Sequence, residues 1–171
     1  METTRNKLII IRGAAGSGKS TIAEKLRTFF PKSKTAIIHT SVFYHEIVDG
    51  DAPEIAMENT KRILDNYLKN KYTVIIEGTL LFKNKKGNLY SDEFITTARK
   101  YKVPVKRFFF TASLGELKRR EKKRRKISLR AVSKFYNLAI DSKEKGETII
   151  DTTDKPISQV LSLVIGRIRQ I

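Results

Sequence analysis

A chain of 171 residues, 40% of them hydrophobic, is long enough to bury a core as one domain spanning 1–171, and too short for the added domains of a motor or transport ATPase. The formal net charge of +17 points to anionic partners, while the absence of cysteine excludes a disulfide framework and a thiolate metal site. No apolar run approaches the ~18 residues of a membrane span, and Met1-Glu2-Thr3-Thr4-Arg5-Asn6 lacks the apolar centre of a signal peptide. The expected setting is therefore the cytoplasm, with no membrane contact.

In chain order, Lys7-Leu8-Ile9-Ile10-Ile11-Arg12 is a short β-branched run that predicts a buried strand. It runs into Gly13-Ala14-Ala15-Gly16-Ser17-Gly18-Lys19-Ser20, which has the spacing G-x-x-x-x-G-K-S. Glycines let the backbone turn tightly and aim successive N–H groups at an anion. The lysine reaches the β- and γ-phosphates, and the serine hydroxyl can ligate Mg²⁺. Ile22, Ala23, Leu26, Phe29 and Phe30 then recur at helical spacing until Pro31. A helix starting at the loop turns its positive end toward the same phosphates.

Residues 35–39 predict a second strand, and a helix over 53–70 carries Ile55, Ala56, Ile63, Leu64, Tyr67 and Leu68 on one side. The third strand, 72–77, ends on Glu77 before Gly78. A shorter helix over 91–101 precedes the fourth strand, 105–110. Helices over 114–126 and 128–142 follow, then a fifth strand over 147–151 and a closing helix over 155–171 with Val160, Leu161, Val164, Ile165 and Ile168 inward. Strands alternating with helices predict an α/β fold on a parallel sheet, whose ligands sit beyond the carboxyl ends of the strands.

Attention therefore falls on residues that follow strands. Glu77 can hold Mg²⁺ together with Ser20 or be a solvent-exposed acid at a strand end. Asp is commoner there, and Glu reaches one methylene further. His39, Ser41 and His45 follow the second strand, where they can act as base or substrate ligands or be structural. Asp49 and Asp51 can bind substrate hydroxyls or be ordinary turn residues. Between Arg99 and Arg130 lie 14 Lys and Arg against Glu116 and Glu121, so this stretch holds +12 of the +17. Such a run is a solvated helix face, a nucleic-acid patch or a cationic cover over phosphates. Arg120 and Arg124, four apart on one helix face, can bracket a triphosphate.

Four places carry a family resemblance: Gly13 to Ser20; Val74-Ile75-Ile76-Glu77-Gly78-Thr79; Leu117-Lys118-Arg119-Arg120-Glu121-Lys122-Lys123-Arg124; and Thr148-Ile149-Ile150-Asp151-Thr152-Thr153 before the last helix. The chain resembles the small P-loop kinases, meaning the nucleoside and nucleotide kinase-like group with its polynucleotide kinase, chloramphenicol phosphotransferase and zeta-toxin-like branch. The resemblance implies a P-loop NTPase three-layer sandwich, with a five-stranded parallel sheet in order 2-3-1-4-5 and an arginine-rich helical lid over 114–130. ATP with Mg²⁺ would be the donor, held by Gly13, Ala14, Ala15, Gly16, Ser17, Gly18, Lys19, Ser20 and Thr21, with Ser20 and Glu77 toward the metal. Lys19, Arg120 and Arg124 would act on the phosphates, and Thr152 and Thr153 would lie near the adenine. One departure stands out. That branch often has an Asp after the second strand to activate the acceptor, whereas here the stretch reads Thr40-Ser41-Val42. His39, His45 and Asp49 are the remaining candidates for that role. The expected activity is ATP-dependent transfer of the γ-phosphate to a small acceptor, nucleoside- or nucleotide-like or another hydroxyl compound. The alternatives are a polynucleotide 5′-kinase, using the basic 99–130 segment, and a nucleotide-binding, RNA-associated module with little catalysis. A GTPase is disfavoured, because no N-K-x-D follows the fourth strand.

Overall fold

The computed structural model describes residues 6–47 and 53–170. Strands β1 (Leu8–Gly13), β2 (Thr35–His39), β3 (Thr73–Glu77), β4 (Val105–Thr111) and β5 (Thr148–Asp151) form one sheet in the order β2-β3-β1-β4-β5, with every pairing parallel. This is the expected order. Parallel neighbours need a crossover, and helices supply it. Helix α1 (Lys19–Arg27) links β1 to β2, and α2 (Ser41–His45) and α3 (Pro53–Lys69) lie between β2 and β3. Helix α4 (Tyr90–Lys100) precedes β4, α5 (Leu114–Arg124) and α6 (Leu129–Asp141) precede β5, and α7 (Ile157–Ile168) follows it.

The two-residue period of β1 divides the core. Leu8 and Ile10 face α3 and α4 with Val74, Ile76, Leu64 and Phe94, while Ile9 and Ile11 face α1 and α7 with Ile75, Phe108, Leu26 and Val164. All four β1 side chains are fully buried, each worth about 1.5–3 kcal/mol of apolar transfer. A third cluster, with Ala14, Phe109, Leu117, Val132 and Ala139, seats α5 and α6 beside the glycine loop.

Several expectations change in detail. The inner face of α3 is Ala56, Met57, Thr60, Leu64 and Leu68, whereas Ile55 and Ile63 are exposed. Thr60 tolerates burial because its hydroxyl donates to the Ala56 carbonyl at 2.9 Å. Helix α1 ends at Arg27, before Pro31, and Phe29 lies outside the helix under the Arg169 guanidinium. Helix α5 stops at Arg124 because Arg125 turns left-handed (φ 54°) and its N–H returns to the Glu121 carbonyl. Residues 40–47, expected as loop, contain α2.

Candidate phosphate-binding and transfer site

The glycine loop is shaped by close approach. Gly13 has φ +131°, and a Cβ there would lie 2.1 Å from the Phe110 carbonyl oxygen of β4, so no larger residue fits. The loop turns on itself through Ser17, whose N–H and hydroxyl both donate to the Ala14 carbonyl, at 3.3 and 2.7 Å. Gly18 then begins α1 in the left-handed region, without a side-chain cap and with no acid in the first turn. The first N–H groups of α1 are thus free of a competing carboxylate and suited to an anion.

Lys19 is buried and donates to the Ala14 carbonyl at 2.8 Å. Burial pulls its pKa down to about 8, with Glu77 opposing the fall and the Arg124 charge adding to it. Ser20 donates to Glu77 Oε1 at 3.0 Å, because β1 and β3 are neighbours in the sheet. Glu77 is itself buried. Burial would raise its pKa, but the hydrogen bond from His39, the Lys19 and His39 charges and the Ser20 hydrogen bond outweigh it and hold the carboxyl below its ordinary value. Gly78 is required next to it, since a Cβ there would meet Thr40 Oγ1 at 2.0 Å.

A hydroxyl and a carboxylate side by side are hard oxygen donors that suit Mg²⁺, which keeps waters and phosphate oxygens as its other ligands. Among the described residues no group of three His, Cys, Asp or Glu can hold a metal unaided. The donor set therefore fits a metal that arrives with a phosphate.

His39 lies between two acids, with Nδ1 3.0 Å from Glu77 Oε1 and Nε2 2.9 Å from Glu24 Oε1. The Glu77 hydrogen bond, aided by Glu24 and opposed by burial, raises its pKa to about 9. The ring is then an imidazolium donating at both nitrogens, which is a poor base. It does not border the cleft that Ser41 and His45 line. Asp49 and Asp51 lie outside the described residues.

Arg120 ties α5 to the loop. Its Nε donates to Glu116 at 2.6 Å, Nη1 to the Gly16 carbonyl at 3.3 Å and to Thr152 Oγ1 at 3.0 Å, and Nη2 to the Thr152 carbonyl at 2.7 Å. Arg124 is held more loosely, 3.2 Å from Glu121 Oε2 without hydrogen-bond geometry. Thr152 is buried, with Oγ1 3.1 Å from both the Ser17 and Thr111 carbonyls. Thr153 instead donates to Asp151 at 2.7 Å and accepts from the Ser113 N–H at 2.8 Å, and it lines neither cleft.

Two clefts meet at the loop. One, about 650 Å³, runs from Gly16, Ser17, Gly18 and Thr21 past Arg119, Arg120 and Thr152 to the apolar group Ile22, Pro156, Ile157 and Val160. The other, about 760 Å³, holds Lys19, Ser20, Glu77, Thr40, Ser41, Tyr44, His45 and Lys126. Gly16, Gly18, Thr21 and Arg124 line both. Sequence reasoning missed Pro156 and Ile157 on the first side and Tyr44 and Lys126 on the second. The available signal was an apolar Ile157 directly after Asp154-Lys155-Pro156, at the start of the closing helix.

An AAA domain family model matches residues 8–136, from β1 into α6, taking in the glycine loop, Glu77 and α5. The chain belongs to that AAA domain family. No curated protein matches it. Among solved structures, this AAA domain is similar to a gluconokinase from Sinorhizobium meliloti, with 14% identity over 97% of this chain and 93% of that one and a TM-score of 0.72. It is also similar to the Mycobacterium tuberculosis APS kinase solved with AMPPNP and APS, at 15% identity, 96% and 98% coverage and a TM-score of 0.69. The Deinococcus radiodurans tunicamycin resistance protein matches at 16% identity, 96% of each chain and a TM-score of 0.68. The AAA domain thus has the P-loop fold of these proteins. No helix among its described residues is long and apolar enough to cross a membrane.

Proposed function

We propose that the protein is a cytoplasmic ATP-dependent kinase whose donor lies in the first cleft and whose small-molecule acceptor enters the second. The observation that carries this reading is the pairing of Ser20 with Glu77, 3.0 Å apart and beside Lys19, where the two clefts meet. Adenine would rest on Ile22, Pro156, Ile157 and Val160, and the phosphates would follow the loop N–H groups from Gly16 to Thr21. Ser20 and Glu77 would hold Mg²⁺, which when bound offsets charge on the β- and γ-phosphates. The names of the APS kinase and gluconokinase neighbours are consistent with transfer to a small acceptor.

In this reading the acceptor hydroxyl oxygen bonds to the γ-phosphorus and releases its proton to solvent water. The bond to the β–γ bridging oxygen breaks, and its electron pair leaves with ADP. Lys19 and Arg124 stabilise the charge on the moving phosphoryl group. Arg120 keeps α5 docked as a lid. The test is ATP affinity by calorimetry for Lys19→Ala, with circular dichroism to confirm folding. A loss of about tenfold or more is expected from removing a charge-assisted contact. Wild-type affinity and wild-type phosphoryl transfer would overturn the reading.

A second reading makes the acceptor a polynucleotide 5′ end. It is favoured by Lys122, Lys123, Arg125 and Arg130, which are exposed and make no salt bridge among the described residues. Oligonucleotide affinity that is flat across salt concentration would exclude it.

A further inference from the structure

Helices that cross between parallel strands run back along the sheet, so helix ends and strand entries gather at the end opposite the glycine loop. Four stretches lie there: 28–34 leading into β2, 66–72 into β3, 99–104 into β4, and 167–170 closing α7. They hold nine Lys and Arg, all exposed, and no Asp or Glu. Contacts join them into one surface. Lys34 donates to the Asn70 carbonyl at 3.3 Å and lies 4.8 Å from the centre of the Tyr72 ring. The start of β1 bridges the next two, with the Lys7 N–H on Thr73 Oγ1 at 3.3 Å and the Leu8 N–H on the Pro104 carbonyl at 2.9 Å. The Arg169 guanidinium over Phe29 ties the last stretch to the first. Asp65, beside this surface, is taken up by Lys100 at 2.9 Å and by the Tyr101 hydroxyl at 3.0 Å.

Folding accounts for part of this charge. Lys69, Arg99, Lys100 and Arg167 complement the negative ends of their helices. Lys71 and Lys102 stand beyond their helices in the left-handed region, at φ 61° and 53°, and their N–H groups return to the Leu68 and Arg99 carbonyls at 3.0 Å. Glycine or asparagine suits such a turn, so a lysine is held at both places against its backbone preference. Lys32, Lys34 and Lys71 make no salt bridge among the described residues. None of the nine cations lines either cleft, and the surface lies about one strand length, ~16 Å, from Glu77.

The entries of β2, β3, β1 and β4 span about 14 Å at the spacing of neighbouring strands. A row of exposed cations that long faces a chain of phosphates rather than a single one. Asn66, Asn70, Tyr72 and Tyr101 lie among the cations. Amides reach phosphate and sugar oxygens, and rings offer a face to bases. A membrane surface would call for apolar anchors. The exposed large apolar side chain in these stretches is Phe29, and Arg169 covers it.

We propose that the end of the sheet opposite the clefts is a nucleic-acid surface, taking the sugar–phosphate backbone on Lys32, Lys34, Lys71 and Lys102. This role is separate from the kinase reading and from the basic α5, and it stands whether or not phosphoryl transfer is found.

The test is fluorescence anisotropy of a short labelled oligonucleotide, single-stranded and as a duplex, with and without AMPPNP and Mg²⁺. Wild type is compared with Lys34→Gln/Lys71→Gly and with the equal-charge control Lys134→Gln/Lys145→Gln, whose residues are exposed on α6 and before β5. Wild-type binding is expected to persist when AMPPNP fills the donor cleft. Affinity should fall about tenfold or more in Lys34→Gln/Lys71→Gly and change less than about twofold in the control. The slope of log K on log[salt] should shrink by about 0.7 per lysine removed on a single strand and about 0.9 on a duplex. The form bound more tightly names the ligand. Because glycine suits the turn at 71, Lys71→Gly alone should unfold in urea no earlier than wild type, which separates lost binding from a lost fold. No binding, an unchanged affinity in Lys34→Gln/Lys71→Gly, an equal loss in the control, or displacement of the oligonucleotide by AMPPNP would overturn the proposal. Phosphatidylserine vesicles bound more tightly than either oligonucleotide, with the same dependence on Lys34 and Lys71, would make the surface a membrane contact and overturn it as well.

Discussion

His39 shows how a residue singled out for one task is placed for another. With both ring nitrogens on carboxylates, it holds Glu77 from one side while Ser20 holds it from the other. Outer partners of a metal-binding carboxylate fix its orientation, and losing one costs about 10–100-fold in metal affinity. For His39→Ala, Mn²⁺ affinity in the presence of ATP, read by electron paramagnetic resonance, is expected to fall by about that range. ATP affinity without metal should be unchanged, and a matching loss there would show that His39 acts on the loop as a whole. Gly78 belongs to the same arrangement, since it leaves room for the Thr40 hydroxyl against Glu77's strand end. That need for glycine was invisible in the sequence, where Gly78 reads as an ordinary strand terminator.

At the scale of elements, α5 is the part whose meaning changed most. Of its basic residues, Arg119 and Arg120 are drawn onto Glu116, and Arg120 reaches on to Gly16 and Thr152. The hydrogen bonds from Arg119 and then Arg120 hold the Glu116 carboxyl down at about 2. A carboxyl depressed in the fold stabilises it above its unfolded pKa of about 4.5, and that contribution is lost as pH falls toward 2. Hydrogen exchange of α5 is therefore expected to accelerate between about pH 4.5 and 2, relative to the β1 core. In Glu116→Gln the acceleration should already be present at neutral pH and its acid dependence lost. A wild-type exchange profile in Glu116→Gln would show that α5 is held by Leu117 and its apolar neighbours alone. The helix itself was legible from its spacing. Its partition of cations was not, because that depends on Arg125 turning left-handed over a buried Glu121.

Across the whole molecule, the sheet order brings distant segments to one end. Ser20 and Glu77 are 57 residues apart and meet because β1 lies beside β3. A second long-range tie is buried at β1's other neighbour. Arg12 is fully buried, with Nε and Nη2 on Glu147 at 2.6 and 2.8 Å, Nη1 on Ser142 Oγ at 3.0 Å, and the ring of Phe109 5.2 Å away. It joins the residue before Gly13 to the connection between α6 and β5. Removing one partner of a buried pair leaves an uncompensated charge, so Glu147→Ala is expected to cost about 3–5 kcal/mol in urea unfolding. A loss below about 1 kcal/mol would mean that Ser142 and Phe109 suffice to satisfy Arg12.

The sequence alone determined the glycine loop, the α/β alternation and the acid at the end of β3. Each of these is written in local spacing, either a four-position loop pattern or a run of β-branched residues buried on both faces. The inner face of α3 was not legible, because neighbouring apolar residues at helical spacing do not say which stripe the packed elements will cover. Only the tertiary structure decided that His39 is locked between Glu24 and Glu77, and that Arg120 anchors while Arg124 stands between the clefts. The placement of Lys126 on the cleft that Ser41 and His45 also line was decided there as well. Those outcomes depend on which chain segments pack side by side and on where buried charges find partners. Both are long-range consequences of the sheet order, which residue spacing along the chain does not encode.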